Sequence, residues 1–473
     1  MQFSNRKPLP RVKQPALDVA VPETWTAAQV VPTPGDTLWW KGFGSARLDT
    51  LVADALANNL NLQAAASRLQ AAGAQAKAAG APLAPQIGAG FSASRRKQNF
   101  TGLPIPGVGG VTASTANSFG VSANLSWEID LWGRLRAGQA AALADLQAAQ
   151  ADLTGARLSL AAQTTRAWFA AVEAQGQLQL ARATVDNYRT SLEQVRARYE
   201  RGLTPSLDLR LTRANQATAQ ALFQQRQQQR DSALRQIELL LGRYPGAALA
   251  VDGHLPSVPG DIPGGLPADL ISRRPDLVAA ERRLAASYAR IAQARKALYP
   301  QISLTASGGT SSPELGNLLN GDFGVWSLVG NIVQPLFQGG RLRANVDLAK
   351  SQSQQTLALY AQSVLAACAE VESALAAEHF LARRQAALET AAEQALAARR
   401  LAEERYASGL ANLITMLDAQ RGAYQAESQR LTVRRLRLDA RIGLHLALGG
   451  GFPGREAILS ANAANAIQGV QPQ

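Results

Sequence analysis

The chain is 473 residues long and 47% hydrophobic but only 5% aromatic, and its 48 Lys and Arg outnumber 35 Asp and Glu, leaving a net charge of +13. A single cysteine, Cys368, excludes an intrachain disulfide, and His254, His379 and His445 lie too far apart in sequence to carry metal-ligand spacing. No apolar run reaches the roughly 18 residues of a transmembrane helix, and arginines interleaved with acids, as in Glu403-Glu404-Arg405, read as solvated helix surface rather than a nucleic-acid face.

Abundant Ala, Leu, Gln and Arg predict a mostly helical chain. Residues 1–36 are Pro-rich and aperiodic, an extended N-terminal arm. The basic first 13 residues contain no apolar stretch, so neither a signal peptide nor a lipid-anchor cysteine is expected. Helical patterns occupy about 46–60 and 63–81. Over 86–97 the pattern changes to alternation, with Ile87, Ala89, Phe91 and Ala93 set against Gly88, Gly90, Ser92 and Ser94.

A Gly/Pro-rich loop over 97–117 leads into the clearest strand of the chain, 118–131. Phe119, Val121, Ala123, Leu125, Trp127, Ile129 and Leu131 point one way; Ser118, Gly120, Ser122, Asn124, Ser126, Glu128 and Asp130 point the other. At ~3.3 Å per residue it spans about 40 Å, roughly twice an ordinary strand. That length and period fit a transmembrane β-strand with apolar residues outward and polar ones inward. Trp39, Trp40, Trp127 and Trp132 suit either a membrane interface or ordinary packing.

From 137 to 198 there is no proline, which predicts a helix of about 93 Å at 1.5 Å per residue. Gly202 and Pro205 interrupt it, a glycine past one helix end and a proline at the next start. A second helix over about 206–242 completes a hairpin, and a Gly/Pro linker follows over 243–264. The pattern then restarts: helices near 267–273 and 276–297, strands at about 301–311 and 325–335, a long helix at about 341–407, a break at Gly409, and a helix to about 447. Cys368 falls in the helical stripe Val364, Cys368, Val371, Leu375 and reads as a small core residue.

The restart is a tandem duplication. Arg198-Tyr199-Glu200-Arg201-Gly202-Leu203 returns as Arg405-Tyr406-Ala407-Ser408-Gly409-Leu410, and Gly133-Arg134-Leu135-Arg136-Ala137 as Gly340-Arg341-Leu342-Arg343-Ala344, both 207 residues later. Leu83-Ala84-Pro85-Gln86-Ile87 returns as Leu298-Tyr299-Pro300-Gln301-Ile302 at an offset of 215. The organisation is therefore an arm (1–36), a first repeat (37–264) with its hairpin over about 133–242, a second repeat (265–450) with its hairpin over about 340–447, and a tail (451–473). Each repeat supplies two strands. Four strands in lipid would leave unpaired edges, so membrane entry demands oligomerisation; two copies would give eight strands and three would give twelve.

Leu125-Ser126-Trp127-Glu128-Ile129-Asp130-Leu131-Trp132-Gly133-Arg134 at the strand-to-helix passage, Arg273-Arg274-Pro275-Asp276-Leu277, Tyr299-Pro300-Gln301-Ile302 and the two Tyr-x-x-Gly-Leu turns occur in order on the duplication. On these the chain resembles the TolC-like outer-membrane efflux factors, NodT-like branch, over about residues 15–451. The resemblance implies a mainly α fold with membrane strands: a homotrimer forming a 12-stranded β-barrel in outer-membrane lipid above a periplasmic α-helical tunnel. It also implies docking on a periplasmic membrane-fusion adaptor and an inner-membrane transporter of the resistance-nodulation-division type. It implies no catalysis, no cofactor and no nucleic acid. The branch's lipidated cysteine has no counterpart here.

By the same resemblance, Arg201, Gly202, Leu203 and Thr204 with Ser408, Gly409, Leu410 and Ala411 are the adaptor-docking tips. Asp208, Tyr406 and Asp418 match gate positions; Thr415 stands where a second acidic ring is expected and Ala411 where a basic partner is expected, leaving Arg405 or Arg210 to substitute. Asn124, Glu128 and Asp130 are expected to line the barrel lumen. The bland readings are a plain hairpin turn, a solvated carboxylate and a polar strand face. Competing functions are the exit duct of a type I protein secretion system and a periplasmic coiled-coil scaffold or adaptor. An enzyme is disfavoured, since no nucleophile elbow, P-loop or dinucleotide fingerprint is found.

Overall fold

The computed structural model describes residues 31–32, 38–100, 112–251, 253–259, 263–264 and 273–450. The expected tail, most of the arm, the helix near 267–273 apart from its last residue, and the Gly-rich centre of the 97–117 loop lie outside the described residues. In chain order the elements are β1 (Val31–Pro32), α1 (Ala46–Asn58), α2 (Leu60–Gly80), β2 (Gln86–Phe100), β3 (Thr112–Ile129), α3 (Arg134–Glu200), α4 (Ser206–Leu240), β4 (Pro263–Gly264), α5 (Pro275–Lys296), β5 (Gln301–Ser312), β6 (Gly324–Val333), α6 (Arg341–Ala407) and α7 (Leu413–Ala447). Among the described residues no helix is long and apolar enough to cross a membrane.

Contacts divide the chain into two units, and each draws on both sequence repeats. The first contains Gln70–Ala148 and Glu281–Leu359. Its centre is a four-stranded antiparallel sheet in the order β2-β3-β5-β6. Register keeps like with like: Ile87 faces Leu125 and Phe91 faces Val121, while Trp127 faces Leu304, Ile129 faces Ile302, and Ile302 in turn faces Ile332. The period of two thus gathers one apolar face, and it is bare: Ile87 is 76%, Trp326 83% and Ile332 73% exposed. Ser122, Asn124, Ser126, Ser303, Thr305 and Ser307 lie on the other face. At Gly309 a side chain has no room, since a Cβ there would meet the Val121 carbonyl oxygen at 1.9 Å.

The strands differ from their expected limits for two reasons. β3 begins at Thr112 because Ser, Thr and Asn pair through backbone alone, as in Thr115 opposite Lys97, where no apolar alternation announces the strand. It ends at Ile129 because Asp130 leaves the sheet to serve the start of α3: its carboxylate accepts from the amides of Leu135 at 3.0 Å and Arg136 at 2.9 Å.

The second unit is formed by residues within 14–69, 149–280 and 360–473. Its core packs Phe43, Leu48, Leu51, Trp168, Phe169, Leu234, Ile237, Leu438 and Ile442. Trp39 and Trp40 belong to this core rather than to a membrane interface, with Trp39 stacked on His445 at 5.1 Å. Asn59 separates α1 from α2, donating to the Leu240 carbonyl at 2.9 Å and accepting from Leu62 N at 3.0 Å. Glu238 gathers the turn after α4 through the amides of Ala247, Ala248 and Leu249. Buried Arg441 donates to buried Glu378 at 3.1 Å, tying α7 to α6.

Candidate functional site

Each long hairpin turns through the same device. Gly202 and Gly409 follow the helix ends with φ of 72° and 75°, a left-handed conformation that costs most residues strain. Leu203 N donates to the Arg198 carbonyl and Gly202 N to that of Tyr199, both at 2.9 Å. Leu410 N and Gly409 N repeat the pattern to Arg405 at 2.7 Å and Tyr406 at 3.1 Å. These are Schellman motifs, in which the residue past the glycine usually packs against the last helical turn. Here that turn offers an arginine, so the leucines project: Leu203 is 71% and Leu410 74% exposed.

The two tips start their second helices differently. Thr204 Oγ1 donates to the Asp208 carboxylate at 2.5 Å within the first turn of α4. Asn412 caps α7, accepting from both the amide and the hydroxyl of Thr415 at 2.8 Å. The Thr415 hydroxyl, which stands where the resemblance implies an acid, is thus engaged by the capping residue.

Arg198, which the sequence marked only as part of the repeat, joins the tips. Its Nη2 donates to the Tyr406 and Ala407 carbonyls at 3.1 and 2.9 Å, and its guanidinium lies 4.6 Å over the Tyr406 ring. Tyr406 is buried among Tyr188, Val195, Leu209, Leu413, Met416 and Leu417. Among the described residues no hydrogen bond links it to Asp208. Higher up, Gln420 donates to Ser191 and Glu403, and Asn187 donates to Glu403, drawing α3, α6 and α7 together. Arg399 lies 5.4 Å over the Tyr424 ring, and burial pushes the Tyr424 hydroxyl up to about 12. Asp418 is exposed and paired with Arg421 at 2.7 Å. Arg405, Arg201 and Arg210 are exposed.

At the strand-to-helix passage of the first unit, Arg134 Nη2 donates to both Glu128 oxygens at 2.8 and 2.7 Å. Asp130 pairs with Arg136 at 3.2 Å while capping α3. Burial acts to raise the Asp130 carboxyl, but the Arg136 and Leu135 amides and the Arg136 guanidinium outweigh it and hold it below the usual carboxylate range. Of the three expected lumen residues, Asn124 remains on the polar face of β3, Glu128 is neutralised by Arg134, and Asp130 lies beyond the strand. Trp127 and Trp132 anchor this region, donating to the carbonyls of Leu83 at 3.1 Å and Pro300 at 2.9 Å.

An amphipathic sheet with a bare apolar face and two long, duplicated helical hairpins define an outer-membrane channel of efflux systems. The chain belongs to the outer membrane efflux protein family, whose model matches residues 51–243 and 266–450. It is 34% identical to the pyoverdine export outer membrane protein OpmQ of Pseudomonas putida, over 93% of each chain. It is 35% identical to the outer membrane protein OprJ of Pseudomonas aeruginosa, over 94% of this chain and 92% of that one. The open-state structure of the Neisseria gonorrhoeae MtrE outer membrane channel superposes with a TM-score of 0.82 at 29% identity, covering 94% of this chain and 98% of that one. The protein is therefore the outer-membrane component of an efflux pump and a transport duct rather than an enzyme.

Proposed function

We propose that three copies assemble into a 12-stranded barrel continued by a tunnel of six helical hairpins, which accepts small organic substrates from an inner-membrane transporter of the resistance-nodulation-division type. One observation supports closure by several copies, and the family resemblance supports three: among the described residues β2 and β6 each pair on one side only, and the face they share is apolar and exposed. In lipid both edges must be paired, and three four-stranded sheets of this kind make the family's closed barrel. The energy for transport comes from the transporter, and this chain supplies the path.

Leu203 and Leu410, held out on the Schellman turns, are the contacts offered to a periplasmic adaptor, with Arg201, Thr204, Ser408 and Ala411 beside them. Tyr406, Asp208, Thr415, Asp418 and Arg405 surround the periplasmic entrance. Threefold repetition would place three Asp418 carboxylates there, each with the Arg421 guanidinium beside it. Small-molecule export is favoured over protein secretion because relatives are named for pyoverdine export, toluene efflux and antibiotic efflux.

The test is assembly and transport together. In detergent the exported protein should have the mass of a trimer, and expressed with its adaptor and transporter it should restore efflux to a strain lacking its own outer-membrane channel. A stable monomer soluble without detergent would refute the reading.

A further inference from the structure

The duplication places the same Arg-Tyr pair at the end of α3, Arg198-Tyr199, and at the end of α6, Arg405-Tyr406. Within one chain these pairs are used crosswise only once. Arg198 covers the Tyr406 ring and donates to the Tyr406 and Ala407 carbonyls at the end of α6. The reciprocal contact is not made: the Arg405 side chain is exposed, and Tyr199 is 42% exposed where Tyr406 is 5%. Yet the end of α3 presents the same acceptor geometry. Gly202 closes it as Gly409 closes α6, with the same pair of turn hydrogen bonds, so the Tyr199 and Glu200 carbonyls correspond to those of Tyr406 and Ala407.

We propose that Arg405 of one copy clasps the end of α3 in the next copy, lying over the Tyr199 ring and donating to the Tyr199 and Glu200 carbonyls. This rests on the trimer proposed above. Three copies then close a ring of six Arg–Tyr clasps, alternately within and between chains. Two further observations fit. Helix C-termini favour a cation, and the Glu200 carboxylate at the receiving end, which accepts from Arg196 at 2.9 Å, is exposed and has a second oxygen to offer. Leu401, one turn before Arg405 on the same face of α6, is 55% exposed and supplies apolar surface for the neighbouring chain to cover.

Two differently tagged chains, both carrying Cys368→Ser, are co-expressed, one with Arg405→Cys and the other with Tyr199→Cys, and treated with a short bis-maleimide. A covalent dimer carrying both tags is expected. The control places Arg198→Cys on one chain and Tyr406→Cys on the other, and should give no dimer because that contact lies within a chain. Trimers by native mass with no dimer from the first pair, or with equal dimer from both, would overturn the clasp and leave the trimer standing. A monomeric mass would overturn the trimer and the clasp with it.

Discussion

Arg198 lies 4.6 Å over the Tyr406 ring and donates to the Tyr406 and Ala407 carbonyls, so one side chain closes the end of a helix from the other repeat. Carbonyls at a helix C-terminus lack intrahelical donors, and a guanidinium satisfies them while its cationic face meets an aromatic ring. Together these are worth about 1–2 kcal/mol at a half-buried site. In Arg198→Ala the amides of Ser408, Gly409 and Leu410 are expected to exchange with solvent about tenfold faster, whereas the turn at Gly202, which Arg198 serves only through its backbone, keeps its rates. Unchanged exchange at Ser408–Leu410 would show that the contact stabilises nothing.

Asp130 gives the passage from β3 to α3 a dependence on pH. Its carboxyl is held below the ordinary carboxylate range, so the folded state binds the proton less tightly than the unfolded chain does. The stabilisation is therefore complete above the ordinary carboxylate range and is lost as pH falls through the lower, folded value. The Leu135 and Arg136 amides should lose protection in acid only below about pH 4. Asp130→Asn should cost about 1 kcal/mol at neutral pH, the usual value of a cap, and remove that acid step. An acid step that survives in Asp130→Asn would assign it to another group.

Much of this was legible in sequence because membrane strands and long hairpins write themselves in period. Ile87 to Ala93 and Phe119 to Ile129 alternate, and the duplication aligns Gly202 with Gly409. What was not legible depends on tertiary pairing. Asp130 continues the polar alternation of β3, and nothing local shows that two amides of α3 recruit it instead. Trp39 and Trp40 look like interface residues until α3 and α7 supply the core that buries them. Arg198 carries no signal of its own, since its partner lies 208 residues away; only the repeated Arg-Tyr pair hinted at it.

The Glu378–Arg441 pair is buried at both ends, and Arg437 also donates to Glu378 at 3.2 Å. Removing the carboxylate strands the Arg441 charge in the core, so Glu378→Ala should destabilise by about 3–5 kcal/mol. Replacing both partners by apolar residues of similar size, Glu378→Leu with Arg441→Met, should recover most of that loss, because the desolvation cost disappears with the attraction. Thermal unfolding followed by circular dichroism checks both. A double variant no more stable than Glu378→Ala would mean that the pair matters for more than its mutual neutralisation.

Leu203 and Leu410 separate folding from function most cleanly. Both are largely exposed and neither belongs to the core cluster beneath the tips, so Leu203→Asp and Leu410→Asp should change stability by no more than about 0.5 kcal/mol. Burying a carboxylate against an adaptor is costly, so binding of the purified adaptor should weaken at least tenfold and efflux should fall with it. The turns themselves behave differently. Gly409→Pro fixes φ near −65° where the turn needs 75° and deletes the amide that bonds to Tyr406, so it should disrupt the tip itself. The aspartate variants test the exposed side chain and the proline variant tests the backbone that presents it. Full efflux in the doubly substituted Leu203→Asp, Leu410→Asp channel would remove the leucines from docking even if Gly409→Pro abolished transport.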